Sequence, residues 1–249
     1  MRFQDVTGTM STMTIRAVLF DFGGTLYDYA TLEPAERESL VELTHWAGVN
    51  AEPRAIQLAH RDAMRRVFRQ YLTRRFYLHR DLFRDAVVGM LNALGAHVDD
   101  DTLDRYRERQ WQRHARDFTL REGVVETLEE LRTRGLHLGI VSNIDDDQLT
   151  HLMALSELEP YFDSILSSEQ AQSCKPDPAI FTEAIRRAGC RPDEALFVGD
   201  TLAQDIAGAN QAGLRSVLLW HRADREPPVT DPLPHYVIRG IPELLELIE

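Results

Sequence analysis

From Arg121 to the C-terminus the hydrophobic positions change period repeatedly. In GVVETLEELRTRG (123–135), Val124, Val125, Leu128 and Leu131 recur at helical spacing, and Gly135 ends the stripe. LHLGIVSN (136–143) is then a nearly continuous apolar run, as expected of a strand buried on both faces. The alternation goes on through a helix near 147–156 and a short strand at SILSS (164–168). The helix PAIFTEAIRRAG (178–189) comes next, with Ile180, Phe181, Ala184, Ile185 and Ala188 inward. ALFVGD (195–200) reads as strand, LAQDIAGANQAG (202–213) as helix and RSVLLW (215–220) as strand. Far upstream, AVLF in AVLFDFGGTLYD (17–28) is one more buried strand, and it runs straight into an acid and a glycine turn. Strands and helices alternating at this spacing predict an α/β protein with a doubly wound parallel sheet covered on both faces.

Residues 30–118 break that rhythm. They predict helices at about 33–47, 53–76, 80–95 and 100–117 and no strand, so an all-helical unit interrupts the sheet after its first strand. The predicted organisation is a core of 14–28 and 119–249, a helical unit of 29–118, and a loose leader of 1–13. Composition supports the division. The chain of 249 residues carries a net charge of -12, yet residues 30–120 hold fifteen Arg against fourteen Asp and Glu. The overall acidity argues against nucleic-acid or anionic-membrane partners. No run is long and apolar enough for a bilayer span or a secretory leader, and there are only 2 Cys. A reducing, cytoplasmic setting is the expectation.

Open parallel sheets bind ligands at the carboxyl ends of their strands. This chain puts its reactive side chains there: Asp21 after the first strand, Ser142 and Asn143 after the second, Asp200 after the fourth, with Lys175 in the loop after the third. Lys175 is also the single lysine among 28 basic residues. A compact ammonium at that point suits a place where a planar guanidinium does not fit.

Taken in order, DFGGT (21–25), VSN (141–143), CKPDP (174–178) and GDTLAQD (199–205) resemble the four motifs of the haloacid dehalogenase superfamily. The helical insert resembles the cap of its first subclass, and the core its Rossmann-like sheet. The resemblance implies a hydrolase, most often a phosphatase of small phosphorylated metabolites. It implies Asp21 as the nucleophile that forms an aspartyl phosphate, and Lys175 and Ser142 as its charge and hydrogen-bond partners. The backbone at Asn143 and the Gly24 and Thr25 region would bind the phosphate, and Thr25 also fits a turn cap. Mg²⁺ would be held by Asp21, the Gly23 carbonyl and Asp200, with Asp205 beside them or behind them. The cap would close over the site and select the substrate.

One position departs from the pattern. The family's hydrolases carry a second Asp two residues after the nucleophile, as general acid and base, and here that position is Gly23. Four readings stay open. The substrate has a good leaving group; another acid such as Asp28, or an acid or His of the cap, substitutes; the chemistry is a metal-independent C–X hydrolysis of the dehalogenase kind; or the protein binds a phosphorylated ligand with little or no turnover. Asp200 and Asp205 together favour a metal site, and a cap without lysine closes the Schiff-base route of the phosphonate enzymes. Elsewhere, Arg65, Arg66, Arg69, Arg74 and Arg75 offer an anion clamp or a solvated helix face, and Asp145-Asp146-Asp147 reads as a helix start rather than a second metal site. Substrate identity and oligomeric state are not written in the pattern.

Overall fold

The computed structural model describes residues 14–222, 225–227 and 229–248; the proposed leader 1–13 lies outside them. In chain order the regular elements begin with β1 (Ala17–Phe20). They continue through α1 (Glu33–Trp46), α2 (Pro53–Tyr71), α3 (His79–Ala93), α4 (Asp100–Asp117), α5 (Val124–Thr133), β2 (His137–Ser142), α6 (Asp146–Ser156) and β3 (Ser164–Ser167). The chain ends with α7 (Ser168–Ala171), α8 (Pro178–Ala188), β4 (Ala195–Gly199), α9 (Ala207–Gln211), β5 (Arg215–Leu219) and β6 (Tyr236–Ile238). They fall into two compact units, one made of residues 14–28 and 120–248 and the other Tyr29–Thr119.

The first unit is built on a six-stranded sheet in the order β3-β2-β1-β4-β5-β6, every pair parallel. All four β1 residues are buried, as both faces of an internal parallel strand require. Register places Phe20 opposite Ile140 of β2 and Val198 of β4, so three neighbouring strands end level with one another. At β1 the strand order reverses, which opens the crevice where such sheets take ligands. Behind it lies a core of Leu19, Val141, Ile180, Phe181 and Phe197, with the Phe181 and Phe197 rings edge to face at 5.0 Å.

Two segments depart from the expected elements. The helix expected across 202–213 opens instead with a π-type turn, Leu202–Ile206, before α9. Within that turn Asp205 is pulled back to the start of the segment, where Thr201 N–H and Oγ1 both donate to its Oδ2, at 2.9 and 2.6 Å. The second is β6, a three-residue strand absent from the sequence reading. It follows the Pro-rich stretch before Tyr236 and is too short for an alternation to show.

The second unit consists of α1 to α4, with α2 packed on α3 and α1 on α4. Its core gathers Leu40, Leu43, Ile56, Val87, Met90 and Leu103. Helix α2 stops at Tyr71, short of the expected 76. There Thr73 Oγ1 donates to the Gln70 carbonyl at 2.8 Å, giving the chain a local alternative to the helical ladder. The freed chain lets Tyr77 turn inward against Tyr71, rings 5.4 Å apart, and Tyr71 OH donates to Asp85 at 2.6 Å. Arg65, Arg66, Arg69, Arg74 and Arg75 are all exposed, and Arg74 lies over the Tyr71 ring at 4.2 Å. Among the described residues no helix is long and apolar enough to cross a membrane.

Candidate active site

Asp21 follows β1 directly and is 7% exposed. Its backbone N–H still bonds the Val198 carbonyl at 2.9 Å, so the carboxylate leaves the sheet from the last hydrogen-bonded position. Lys175 Nζ donates to Asp21 Oδ1 at 2.7 Å and to Asp205 Oδ1 at 2.7 Å, at a point 2% exposed. Ser142 Oγ donates to the same Asp21 oxygen at 3.1 Å. Among the described residues Oδ2 of Asp21 has only a long contact, 3.4 Å, from the buried Thr25 hydroxyl. One oxygen of Asp21 is therefore anchored and the other is nearly free.

Asp200 completes a triplet of carboxylates. Asp21, Asp200 and Asp205 each offer an oxygen within 4.8 Å of the others, a grouping of hard oxygen donors suited to a small divalent ion. Gly24 makes room for it: φ is +82°, and a Cβ there would lie 2.4 Å from Asp200 Oδ2. Both oxygens of Asp205 are also hydrogen-bonded, one to Lys175 and the other to Thr201, whereas among the described residues no hydrogen bond reaches the Asp200 carboxylate.

The charges do not balance within the protein. Burial, and then Asp21 and Asp205, push the Asp200 carboxyl up to about 7. Burial raises Asp21 to about 6 against the pull of Lys175, with Asp205 adding to the rise. Burial works against the Lys175 ammonium, but Asp205 and Asp21 together outweigh it and hold it above its ordinary value. Three acids facing one lysine leave a deficit of positive charge.

Around this centre the other expected residues are accounted for. Gly23 is buried and pairs through its main chain with Tyr27. Asn143 spends its side chain on the Lys175 main chain, leaving only its own backbone for the expected phosphate contact. Asp145 sits at the N-cap of α6, but its side chain makes no cap hydrogen bond. The run instead serves α6 through Asp146, whose Oδ1 accepts from Ser167, and Asp147, which accepts from Gln148 N–H at 2.8 Å.

Arg121 is the residue that pattern reading missed. Its Nε and Nη2 donate to the Gly24 carbonyl at 3.1 and 2.8 Å, and its Nη1 to Asp28 Oδ2 at 3.2 Å. The glycine turn is thus clamped from the far side of the insert, and Asp28 is engaged in the clamp. The only available signal was an arginine at the point where the helical pattern of 30–118 ends.

The model of the haloacid dehalogenase-like hydrolases matches residues 15–213. The chain belongs to that family. Among its relatives a glyceraldehyde 3-phosphate phosphatase from Methanopyrus kandleri is 31% identical over 94% of this chain and 97% of its own. A ribulose-1,5-bisphosphate 5-phosphatase from Halopiger xanaduensis is 32% identical over 81% of this chain and 83% of its own. Among solved structures a 2-haloacid dehalogenase from Pseudomonas syringae superposes with a TM-score of 0.69 at 28% identity, covering 94% of this chain and 98% of that one. As a haloacid dehalogenase-like hydrolase, the protein is an enzyme with a doubly wound α/β core.

Proposed function

We propose that the protein is a Mg²⁺-dependent phosphatase of small phosphorylated metabolites, working through an aspartyl phosphate on Asp21, and that Tyr29–Thr119 is its substrate-selecting cap. The observation that carries the reading is the charge pattern. Asp21 is kept beside a buried ammonium, one of its oxygens nearly unengaged, within reach of an Asp200 carboxylate that no hydrogen bond reaches among the described residues. A dehalogenating carboxylate has no need of the additional acid, whereas a phosphate dianion approaching Asp21 needs a cation between the two. Asp21, Asp200 and the Gly23 carbonyl would hold Mg²⁺, with Asp205 steadying Lys175 from behind. When bound, the ion offsets phosphate charge and the repulsion between the reacting anions. Two relatives named as phosphatases of phosphorylated metabolites support the substrate class.

The protein's own residues account for the rest. An Asp21 oxygen forms the bond to phosphorus as the bond to the leaving oxygen breaks, and the electron pair departs with that oxygen. Lys175 and Ser142 hold Asp21 in line. Water then attacks phosphorus, the bond to Asp21 breaks with its electron pair returning to the carboxylate, and the water's proton passes to the released phosphate or to solvent. With glycine at 23 no side chain there protonates the leaving oxygen, so esters of acidic alcohols and mixed anhydrides are favoured. Turnover of an aryl phosphate is expected to exceed that of an alkyl phosphate clearly, and to vanish with chelator. Equal rates on the two would exclude this use of Gly23. Gly23 does not have a left-handed φ, so Gly23→Asp imposes no backbone strain of that kind, and it is expected to raise alkyl ester turnover by up to about 10²-fold.

Gly24→Ala tests the ion-holding geometry. Its Cβ would demand both a left-handed backbone and the space of Asp200, so Mg²⁺ affinity is expected to fall roughly tenfold in a calorimetric titration. Unchanged affinity would place the ion elsewhere. A second reading, hydrolysis of a carbon–halogen bond by Asp21, draws on Gly23 itself, since a halide leaves without a proton. It predicts chelator-resistant turnover of a 2-haloacid and none of aryl phosphate.

A further inference from the structure

Asn143 follows Ser142, the last residue of β2, yet its side chain grips a different segment. Its Oδ1 accepts from Lys175 N–H at 2.7 Å and its Nδ2 donates to the Lys175 carbonyl at 3.0 Å. One amide thus reads both polar groups of a single residue's main chain, as a neighbouring strand would. A long contact of 3.4 Å from Nδ2 to Gln204 Oε1 is its remaining bond.

The loop is also held by hydrogen bonds on either side of Lys175. Ser173 N–H bonds the Ser168 carbonyl at 3.2 Å, and Ser173 Oγ donates to Asp177 Oδ1 at 2.8 Å. Asp177 caps α8 by accepting from Ala179 N–H at 3.0 Å, and its own N–H bonds the Cys174 carbonyl at 2.9 Å. These bonds shape the turn, while the Asn143 amide is the contact that ties Lys175's own main chain to the end of β2. The lysine side chain has four methylenes, and its ammonium must meet two carboxylates at 2.7 Å each. Placement of its Cα therefore decides whether both contacts are made at once.

We propose that Asn143 is a positioning residue: its amide latches the Lys175 main chain to the end of β2 and thereby sets the ammonium between Asp21 and Asp205. Its role runs through Lys175 and not through the phosphate. The kinetic part of this inference rests on the phosphatase reading; the rest holds for any chemistry that uses Lys175.

Because Lys175 is the only lysine, the chain carries its own reporter. Labelling with ζ-¹⁵N lysine gives one side-chain ammonium signal, and trinitrobenzenesulfonate has one lysine to modify, identified by peptide mass. In Asn143→Ala the Lys175 modification rate is expected to rise at least about tenfold and the ammonium signal to broaden through faster hydrogen exchange, with far-ultraviolet dichroism unchanged. Aryl phosphate kcat is expected to fall about 10- to 100-fold while KM stays within about threefold, the mark of a displaced reacting group. In a double-mutant cycle, Asn143→Ala is expected to cost nothing further once Lys175→Met is present. An equal loss in both backgrounds would overturn the proposal, since it would mean that Asn143 acts on the substrate directly. An unchanged Lys175 modification rate would overturn it as well. Should no variant or wild-type sample show Asp21-dependent hydrolysis, the phosphatase reading falls, and the lysine reporter still decides whether the latch exists.

Discussion

Asp21→Asn lowers aryl phosphate turnover by at least about 10³-fold, and the phosphoryl adduct trapped on the wild-type peptide carrying AVLFDFGGT by rapid acid quench is missing from the variant. The amide keeps the shape of the carboxylate but loses the anionic oxygen that attacks phosphorus. It also leaves Lys175 with Asp205 as its one carboxylate partner, because Asp21 Oδ1 receives both the ammonium and the Ser142 hydroxyl. Fold and stability should change less than turnover does. Residual activity near the wild-type level, or an adduct on another residue, would remove Asp21 from the reaction and with it the proposed function.

Lys175→Met has the second large effect, and it reaches stability as well as rate. Removing one member of a buried charge cluster strands the others, at a cost on the order of 3–5 kcal/mol. Asp21 and Asp205 are both buried, 7% and 1% exposed, so each loses a charge partner that solvent replaces poorly. Urea unfolding at neutral pH is expected to show a loss of that size without divalent ion and a smaller loss with Mg²⁺, which supplies positive charge to the same carboxylates. Lys175→Arg is expected to rescue neither stability nor rate, since the site is 2% exposed and built around a point charge. A Met variant as stable as wild type would show that the acids hold a proton between them instead of relying on the ammonium.

The strands that carry the site were legible because each is a continuous apolar run ending in a polar residue. β1, β2 and β4 could be found, and the parallel-sheet rule then collected Asp21, Ser142 and Asp200 at one edge. The single lysine pointed to its own loop. What stayed hidden is what side chains do to main chains. Arg121 recognises the Gly24 carbonyl from 97 positions away, and no periodicity encodes such a bond. The place of Asn143 beside Ser142 suggested its backbone for the phosphate but said nothing of its side chain, which a strand end can turn either way and which here grips the Lys175 main chain. The π-type turn that sets Asp205 carries the same apolar spacing as an ordinary helix, so pattern alone could not separate them. β6 was lost for want of length.

The position of the insert has a further consequence for how the chain matures. Both partners of β1 lie far downstream, Ala17 pairing with His137 and with Ala195, so the most apolar strand of the core has nothing to pair with until most of the polypeptide has emerged from the ribosome. Its two ends are nonetheless drawn together at the Tyr27–Leu120 bridge and by the bond from Arg121 N–H to the Leu26 carbonyl. Were the four-helix unit to fold first, it would bring those ends within reach and shorten the search for the central strand's partners.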